Sequence, residues 1–161
     1  MIVQTRKKEL KKKVTKVTKV AADPIRKLKI WILFPYLESE DPNLQYYYDF
    51  SQSLAEYKKI FDELGADWTW QPVTMTNYNE VVASIKKKSG RKIPLVLNLC
   101  DGDEVNGTPG ISVIKELEKN RIIYTGSDDH YYTITTSKIP MKRAFDKAGV
   151  STAKWDIIDG S

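Results

Sequence analysis

The chain is short of the residue types from which many small catalytic and metal sites are built. Its 161 residues contain one cysteine, Cys100, and one histidine, His130. A single cysteine excludes an internal disulfide and a multi-cysteine metal site, and it favours a reducing compartment. No apolar run approaches the ~18 residues that a membrane-spanning helix needs, and the first residues lack the apolar centre of a secretory signal. We therefore expect a cytoplasmic protein with no membrane partner.

Positive charge is concentrated at the start of the chain. The first 29 residues hold eleven Lys and Arg against two acids, whereas the remainder holds fifteen basic and nineteen acidic side chains. Residues 1–27 have no helical apolar stripe, which favours a solvated, flexible tail. The alternative is an electrostatic anchor for nucleic acid or for an anionic surface. No aromatic residue precedes Trp31, so there is no ring on which a base could stack, and we do not expect nucleic acid as a partner.

From Leu28 onward, apolar runs typical of strands alternate with segments of helical periodicity. Such alternation predicts an α/β fold with a doubly wound parallel sheet and right-handed crossovers. Ligands of these sheets bind beyond the carboxyl ends of the strands, which here correspond to residues 35–48, 100–109 and 126–132. The predicted strands are residues 28–34, 66–71, 94–99 and 121–124, and the predicted helices are residues 51–64, 79–88, 109–120 and 137–147.

The sequence CDGDEVNGTPG, residues 100–110, combines three acidic residues with three glycines directly after a predicted strand. The acids lack the alternating ligand spacing and the distal glutamate of a calcium loop, so we expect no metal there. The amides of Gly107 to Gly110 open a predicted helix and could receive a carboxylate or a phosphate. The alternative is a strand-to-helix turn that needs glycine only for its backbone.

Three single residues have both a functional and a structural interpretation. Cys100 follows a core strand, and we interpret it as a small buried hydrophobe rather than a nucleophile. His130 has no candidate nucleophile or orienting partner, so we interpret it as a turn residue rather than a general base. Ser137 is a suitable helix N-cap and puts Lys138 in the first turn, where the helix dipole disfavours a cation. Such a local conflict is typical of functional positions.

Taken in order, these motifs resemble the amino-terminal domain of the D-alanine:D-alanine ligases, which belong to the ATP-grasp enzymes. The matching residues are Asn98, Asp101-Gly102, Gly107-Thr108-Pro109-Gly110, Tyr124-Thr125-Gly126-Ser127, Lys138 and Ala148-Gly149-Val150. The resemblance implies that residues 28–150 form the Rossmann-like pre-ATP-grasp domain and that residues 151–161 begin the ATP-grasp domain. An isolated chain of this extent would then be inactive.

The resemblance also implies a site. Asp101, Gly102, Gly107, Thr108 and Gly110 would form a wall of the pocket for an amino acid or dipeptide substrate. Lys138 would lie near the ATP phosphates, with Lys142 or Arg143 as the alternative. The complete enzyme would use ATP and Mg²⁺, and a homodimer is a further expectation.

The resemblance is weakest after the first strand. The family has a glycine-rich turn there, followed by a glutamate that contacts the amine of the first amino acid. Here the glutamate's place falls at about Tyr48, and Glu38 or Glu40 could replace it only in a rearranged loop. A non-catalytic binding or assembly module that kept the scaffold is therefore the alternative function.

Overall fold

The structure is a computed structural model that describes residues 24–37, 39, 41, 43 and 49–158. These residues form an α/β fold in which parallel strands alternate with helices. The strands are β1 (Leu28–Pro35), β2 (Asp67–Val73), β3 (Ile93–Asn98) and β4 (Ile123–Tyr124). The helices are α1 (Ser51–Leu64), α2 (Tyr78–Ser89), α3 (Ile111–Lys119), α4 (Asp129–Thr135) and α5 (Lys138–Lys147).

The strand order is β2-β1-β3-β4, and every pairing is parallel. The chain moves from β1 to β2 in one direction and then crosses back past β1 to β3. With right-handed crossovers, this reversal puts the connecting helices on opposite faces of the sheet. That is where they pack, since α1 covers one face and α2 and α3 cover the other. The prediction of a parallel α/β sheet is confirmed.

The apolar run in β1 is explained by its central position. Trp31 and Leu33 pack with buried residues of α2 and α3, whereas Ile30 and Ile32 pack with Phe61 of α1. Successive side chains of a strand point to opposite faces, so a strand covered on both faces needs apolar residues at consecutive positions. The Trp31 indole donates a hydrogen bond of 3.0 Å to Ser89 Oγ at the end of α2, which satisfies its buried N–H.

Local signals predicted most helix boundaries correctly. Helix α1 ends at Gly65, whose φ of 61° is left-handed, and the Ala66 amide donates to the Phe61 carbonyl. Glycine occupies such a position without the steric cost that other residues incur. At the end of α5, Gly149 has a φ of 69°, and the Val150 amide donates to the Phe145 carbonyl.

Two predictions between Arg121 and Tyr132 were wrong. The predicted strand at residues 121–124 is reduced to Ile123–Tyr124, because Arg121 has a φ of 49° and continues the turn that ends α3. No helix was predicted between residue 124 and residue 137, but Asp129 opens helix α4. The Asp128 carboxylate accepts a hydrogen bond from the Tyr131 amide at 2.8 Å and caps this helix.

Some expectations fall on residues outside the described part of the chain. These are most of the basic tail, namely residues 1–23, together with Glu38, Glu40 and Tyr48. Within the described part, no helix is both long and apolar enough to cross a bilayer.

Candidate functional site

The carboxyl edge of the sheet is where a ligand of this fold would be expected to bind. Strands β1 and β3 are neighbours, but the chain leaves β1 toward β2 and leaves β3 toward β4. The two connections therefore diverge, which opens a crevice at the point where the strand order reverses. The Tyr36 amide donates to the Val73 carbonyl at 2.8 Å, and the Leu99 amide donates to the Leu33 carbonyl at 2.8 Å. Tyr36 and Leu99, which directly follow β1 and β3, therefore lie at the expected position of this crevice.

The segment after β3, residues 99–110, folds back on itself as the glycine loop. Gly102 pairs with Gly110, and the Gly102 amide donates to the Pro109 carbonyl at 2.9 Å. A Cβ atom on Gly110 would lie 1.9 Å from the Gly102 carbonyl oxygen, and one on Gly102 would lie 2.2 Å from the Thr108 carbonyl oxygen. Both distances are far below van der Waals contact. The close approach of two backbone segments therefore requires glycine at both positions.

The amides that open α3 already hold a carboxylate from the protein. Glu104 Oε1 accepts hydrogen bonds from the Gly110 amide at 3.2 Å and from the Ser112 amide at 2.6 Å. Glu104 Oε2 accepts a third from the Ser112 hydroxyl at 2.9 Å. Sequence reasoning expected the glycine amides to receive the anionic group of a ligand. In the structure Glu104 fills this role at the helix start, in a backbone conformation with a φ of 64°.

The other two acids of the glycine loop face solvent. Asp101 and Asp103 are exposed. The backbone N–H of Asn106 donates a hydrogen bond to the Asp103 carboxylate at 3.1 Å, which lowers the pKa of that carboxyl below its usual value. Among the described residues, no three His, Cys, Asp or Glu side chains converge as a metal site would require. The two exposed carboxylates can accept hydrogen bonds from an ammonium group that enters the crevice.

Tyr132 of α4 fastens the glycine loop from its other side. Its hydroxyl donates a hydrogen bond of 2.5 Å to the Gly102 carbonyl, and its side chain is buried. Burial, together with the negative charge of Asp101 and Glu104, raises the pKa of Tyr132 to about 12. The hydroxyl therefore stays protonated at neutral pH and remains a donor. This contact was not predicted from the sequence, because no helix was expected before residue 137.

The Tyr-Thr-Gly-Ser segment that follows β4 supports the same edge. The Thr125 hydroxyl accepts a hydrogen bond from the backbone N–H of Asn98 at 3.2 Å. The side-chain oxygen of Asn98 accepts one from the backbone N–H of Cys100 at 3.1 Å. The Tyr124 hydroxyl donates to Glu118 at 2.8 Å, and burial together with this bond raises the pKa of Tyr124. Two motif segments separated by 27 residues thus meet where β3 ends.

The structure does not bring Lys138 to the glycine loop through any described contact. Lys138 is exposed in the first turn of α5, which packs on α4, while α4 packs on α3. Ser137 occupies the N-cap position as predicted, but its side chain makes no capping hydrogen bond. No described residue forms an ion pair with Lys138, whereas Lys142 donates to the Ala153 carbonyl at 3.3 Å. The ammonium group of Lys138 is therefore exposed and can bind an anionic group of a ligand.

Cys100 and His130 have different surroundings. Cys100 is 2% exposed within the core cluster, and burial raises the pKa of its thiol to about 12. The prediction that it is a buried hydrophobe is confirmed. His130 is exposed in the first turn of α4, and no hydrogen bond or ion pair of its side chain is formed with the described residues. It therefore has no partner there that would orient it as a general base.

No protein-family model, characterised protein or solved structure matches this chain. The chemistry of the site is therefore inferred from its own groups. The glycine loop supplies close-packed backbone and two exposed carboxylates, but no activated nucleophile, since its one thiol is buried and protonated at neutral pH. Such a surface can bind and orient a polar ligand. Any bond formation would need groups from elsewhere.

Proposed function

We propose that this chain is the substrate-side, pre-ATP-grasp domain of an ATP-dependent carboxylate–amine ligase that resembles the D-alanine:D-alanine ligases. One observation carries the proposal. The motif residues that carry the resemblance in sequence, from Asn98 through Gly110 to Thr125, lie together at the carboxyl edge beside the crevice. In a doubly wound sheet this is the expected position of a ligand site.

In the proposed reaction this domain binds the first substrate, and other domains supply the groups that act on ATP. In such ligases ATP phosphorylates a carboxylate, and an amine then attacks the acylphosphate. The glycine loop would contribute one wall of the first substrate's pocket, where Asp101 and Asp103 face solvent and can accept hydrogen bonds from an ammonium group. Fixing one reactant in this way lowers the entropic part of the barrier.

ATP and Mg²⁺ belong to the complete enzyme in this proposal. The described residues bring together no ligand set for a cation, so they do not fit Mg²⁺, and no catalytic role is assigned to it here. Lys138 is the side chain that the resemblance places near the ATP phosphates, and its exposure in the first turn of α5 is compatible with that role. We therefore expect the 161-residue chain to bind substrate without turning it over.

The proposal is tested by a nuclear magnetic resonance titration of the ¹⁵N-labelled chain with D-alanine and with D-alanyl-D-alanine. We expect amide shifts to change at Gly102, Gly107 and Thr108, and L-alanine to have no such effect. Asp101→Asn should weaken the response, because it removes a carboxylate but leaves the hydrogen bonds of the loop intact. Glu63→Gln changes an exposed acid on α1 by the same charge and should leave the response unaltered.

Two results would overturn the proposal. One is the absence of shift changes at the glycine loop for both D-enantiomeric ligands, with the spectrum otherwise that of a folded protein. The other is ATP-dependent release of phosphate by the 161 residues alone, since the proposal assigns nucleotide chemistry to groups outside this domain.

A second candidate function is favoured by Glu104. Because Glu104 occupies the α3 amides and the two glycines are required by backbone packing, the loop has a purely structural explanation. That explanation fits a binding or assembly module which kept the scaffold without its substrate site. A titration that leaves the glycine-loop amides unshifted would support this module over the ligase domain.

A further inference from the structure

The amino-terminal edge of the sheet, opposite the crevice, collects basic side chains from four separate parts of the chain. Lys27 precedes β1, Arg91 precedes β3, Arg121 precedes β4, and Lys86, Lys87 and Lys88 form the last turn of α2. All six are exposed. Because parallel strands all start at one edge, the fold brings these residues to the same end of the molecule.

Hydrogen bonds confirm that these segments lie side by side. The Ile93 amide donates to the Lys27 carbonyl at 2.9 Å. The Asp67 carboxylate binds Lys29 at 2.5 Å and Lys92 at 2.8 Å, which joins the starts of three strands. Residues 1–23, which carry eight further Lys and Arg against Glu9 and Asp23, connect to this same edge through Pro24.

Most of this basic charge has no acidic partner among the described residues. Lys29 and Lys92 share Asp67, and Lys119 pairs with Glu116. The six side chains before β1, β3 and β4 and at the end of α2 form no ion pair with a described residue. Four acids besides Asp67 lie near this edge. Asp62 and Glu63 end α1 beside β2. Glu116 and Glu118 lie in the last turn of α3, where Glu116 pairs with Lys119 and Glu118 accepts a hydrogen bond from the Tyr124 hydroxyl. The six unpaired basic side chains at the starts of β1, β3 and β4 and at the end of α2 therefore outnumber the unpaired acids beside them, of which Glu118 is one.

Two isoleucines are exposed within this basic surface. Ile93 is 51% exposed and Ile123 is 60% exposed. They begin β3 and β4 and, from the strand register, point to the same face as Ile30. Helix α1 covers that face over β1 and β2, but no described helix covers it over β4. Arg91 and Arg121 each precede one of the two isoleucines by two residues.

We infer that this amino-terminal edge, with Ile93, Ile123, Arg91 and Arg121 at its centre, is a docking surface for an anionic lipid bilayer. Basic side chains attract the negative headgroups, while exposed aliphatic side chains insert at the boundary with the acyl chains. A surface for single-stranded nucleic acid would instead favour exposed aromatic rings on which bases stack. The aromatic residues near the starts of the strands are not exposed, since Trp31 is buried and Trp68 and Tyr124 are half-buried.

Docking in this orientation leaves the crevice open to water, because the crevice lies at the opposite end of the strands. The surface shares no residue with the glycine loop. Its test is consequently independent of the proposed ligase function.

The experiment is sedimentation of the full 161-residue chain with large unilamellar vesicles. One set consists of phosphatidylcholine alone, and the other contains about one-third phosphatidylserine. We expect binding to the anionic vesicles only, and weaker binding when the salt concentration rises from ~0.05 M to ~0.5 M, because salt screens the attraction. Arg91→Glu with Arg121→Glu should lower the partition coefficient by roughly 30-fold or more, at about fivefold for each basic side chain lost.

Matched variants distinguish the effect of net charge from the effect of where the charge lies. Lys115→Glu with Lys154→Glu makes the same change in net charge at exposed sites away from this edge and should lower binding by less than about fivefold. Ile123→Ser keeps every charge and should lower binding by about fivefold, because it removes an inserting side chain. Circular dichroism verifies that each variant is folded.

Several outcomes would overturn the inference. They are equal binding to neutral vesicles, equal loss in the two charge-reversal pairs, and unchanged vesicle binding by Ile123→Ser. Salt-sensitive binding of duplex DNA or RNA by a chain that ignores the anionic vesicles would assign the surface to nucleic acid instead.

Discussion

Glu104 shows how one side chain fixes the conformation of the candidate site. A residue other than glycine at a φ of 64° costs free energy of order 1 kcal/mol. Three hydrogen bonds to Gly110 and Ser112 offset that cost and satisfy donors at the start of α3. The left-handed backbone and the hydrogen bonds that stabilise it belong to the same residue. The conformation of the glycine loop therefore depends on Glu104.

This dependence predicts the effect of truncating Glu104. Glu104→Ala removes the acceptor for two amides and a hydroxyl in a half-buried place, and we expect it to lower the free energy of unfolding by about 1–2 kcal/mol. Glu104→Gln keeps an acceptor oxygen and should cost less. Urea titrations followed by circular dichroism measure both. A Glu104→Ala protein as stable as the parent would show that the helix start is satisfied in another way.

Single residues differ in how far sequence alone decided their role. Cys100 follows an apolar strand in the sequence, and that position was enough to predict its burial. The partner of Glu104 was not predictable, because its bonds to Gly110 and Ser112 join residues six and eight positions away across a turn whose shape no local pattern specifies.

At the scale of elements, helix α4 was missed because its sequence is a poor helix former. The segment DHYYTIT contains no alanine or leucine and three β-branched residues, which lower helix propensity. Two hydrogen bonds, which do not depend on helix propensity, stabilise the helix. Asp128 caps its start, and Tyr132 anchors it to the glycine loop. Tertiary packing therefore overrides the local propensity.

Asp67 links the starts of three strands, and its protonation should affect stability. Hydrogen bonds from Lys29 and then from Lys92 lower the pKa of Asp67 in the folded state. A lowered folded pKa means that the contribution is fully present above the unfolded value of about 3.9 and is lost as pH falls through the folded pKa. The side chain is 39% exposed, so we expect the effect to stay below about 1 kcal/mol.

The measurement compares the parent with Asp67→Asn in urea at pH 7 and at a pH below the usual range of aspartate. The two proteins should differ at pH 7 and converge in acid. Asp62→Asn, at an exposed aspartate without a side-chain hydrogen bond from a described residue, serves as the control and should show a smaller change. A difference between parent and Asp67→Asn that persists in acid would assign the effect to packing rather than to charge.

At the scale of the whole molecule, the parallel sheet separates two surfaces of opposite character. The carboxyl edge carries the glycine loop with its acids, and the amino-terminal edge carries unpaired Lys and Arg. The acids lie within four residues of the sequence, whereas the basic side chains come from four separate parts of the chain. The net charge of +5 therefore describes the molecule poorly, because the two ends would attract different partners.

Cys100 lies in the core between these two surfaces, and its burial determines how readily it reacts. This thiol lies in a cluster formed by β1, β3, α2 and α3, and burial raises its pKa to about 12. At pH 8 little thiolate is present and none is accessible, so labelling requires unfolding of the core. We expect the rate of thiol labelling to rise across the same urea range in which circular dichroism reports unfolding. Rapid labelling in native conditions would mean that this end of β3 opens locally.

The sequence by itself determined the alternation of strands and helices and the ends of α1 and α5 close to Gly65 and Gly149. Each of these follows from neighbouring residues, through periodicity, backbone freedom or a continuous apolar run. Only the tertiary structure decided the order β2-β1-β3-β4 and the contact of Gly102 with Gly110. It also decided the attachment of Tyr132 to the glycine loop and the meeting of Ile93, Ile123 and their arginines at one edge. These features depend on pairings between distant segments, and no local pattern specifies which strand lies beside which.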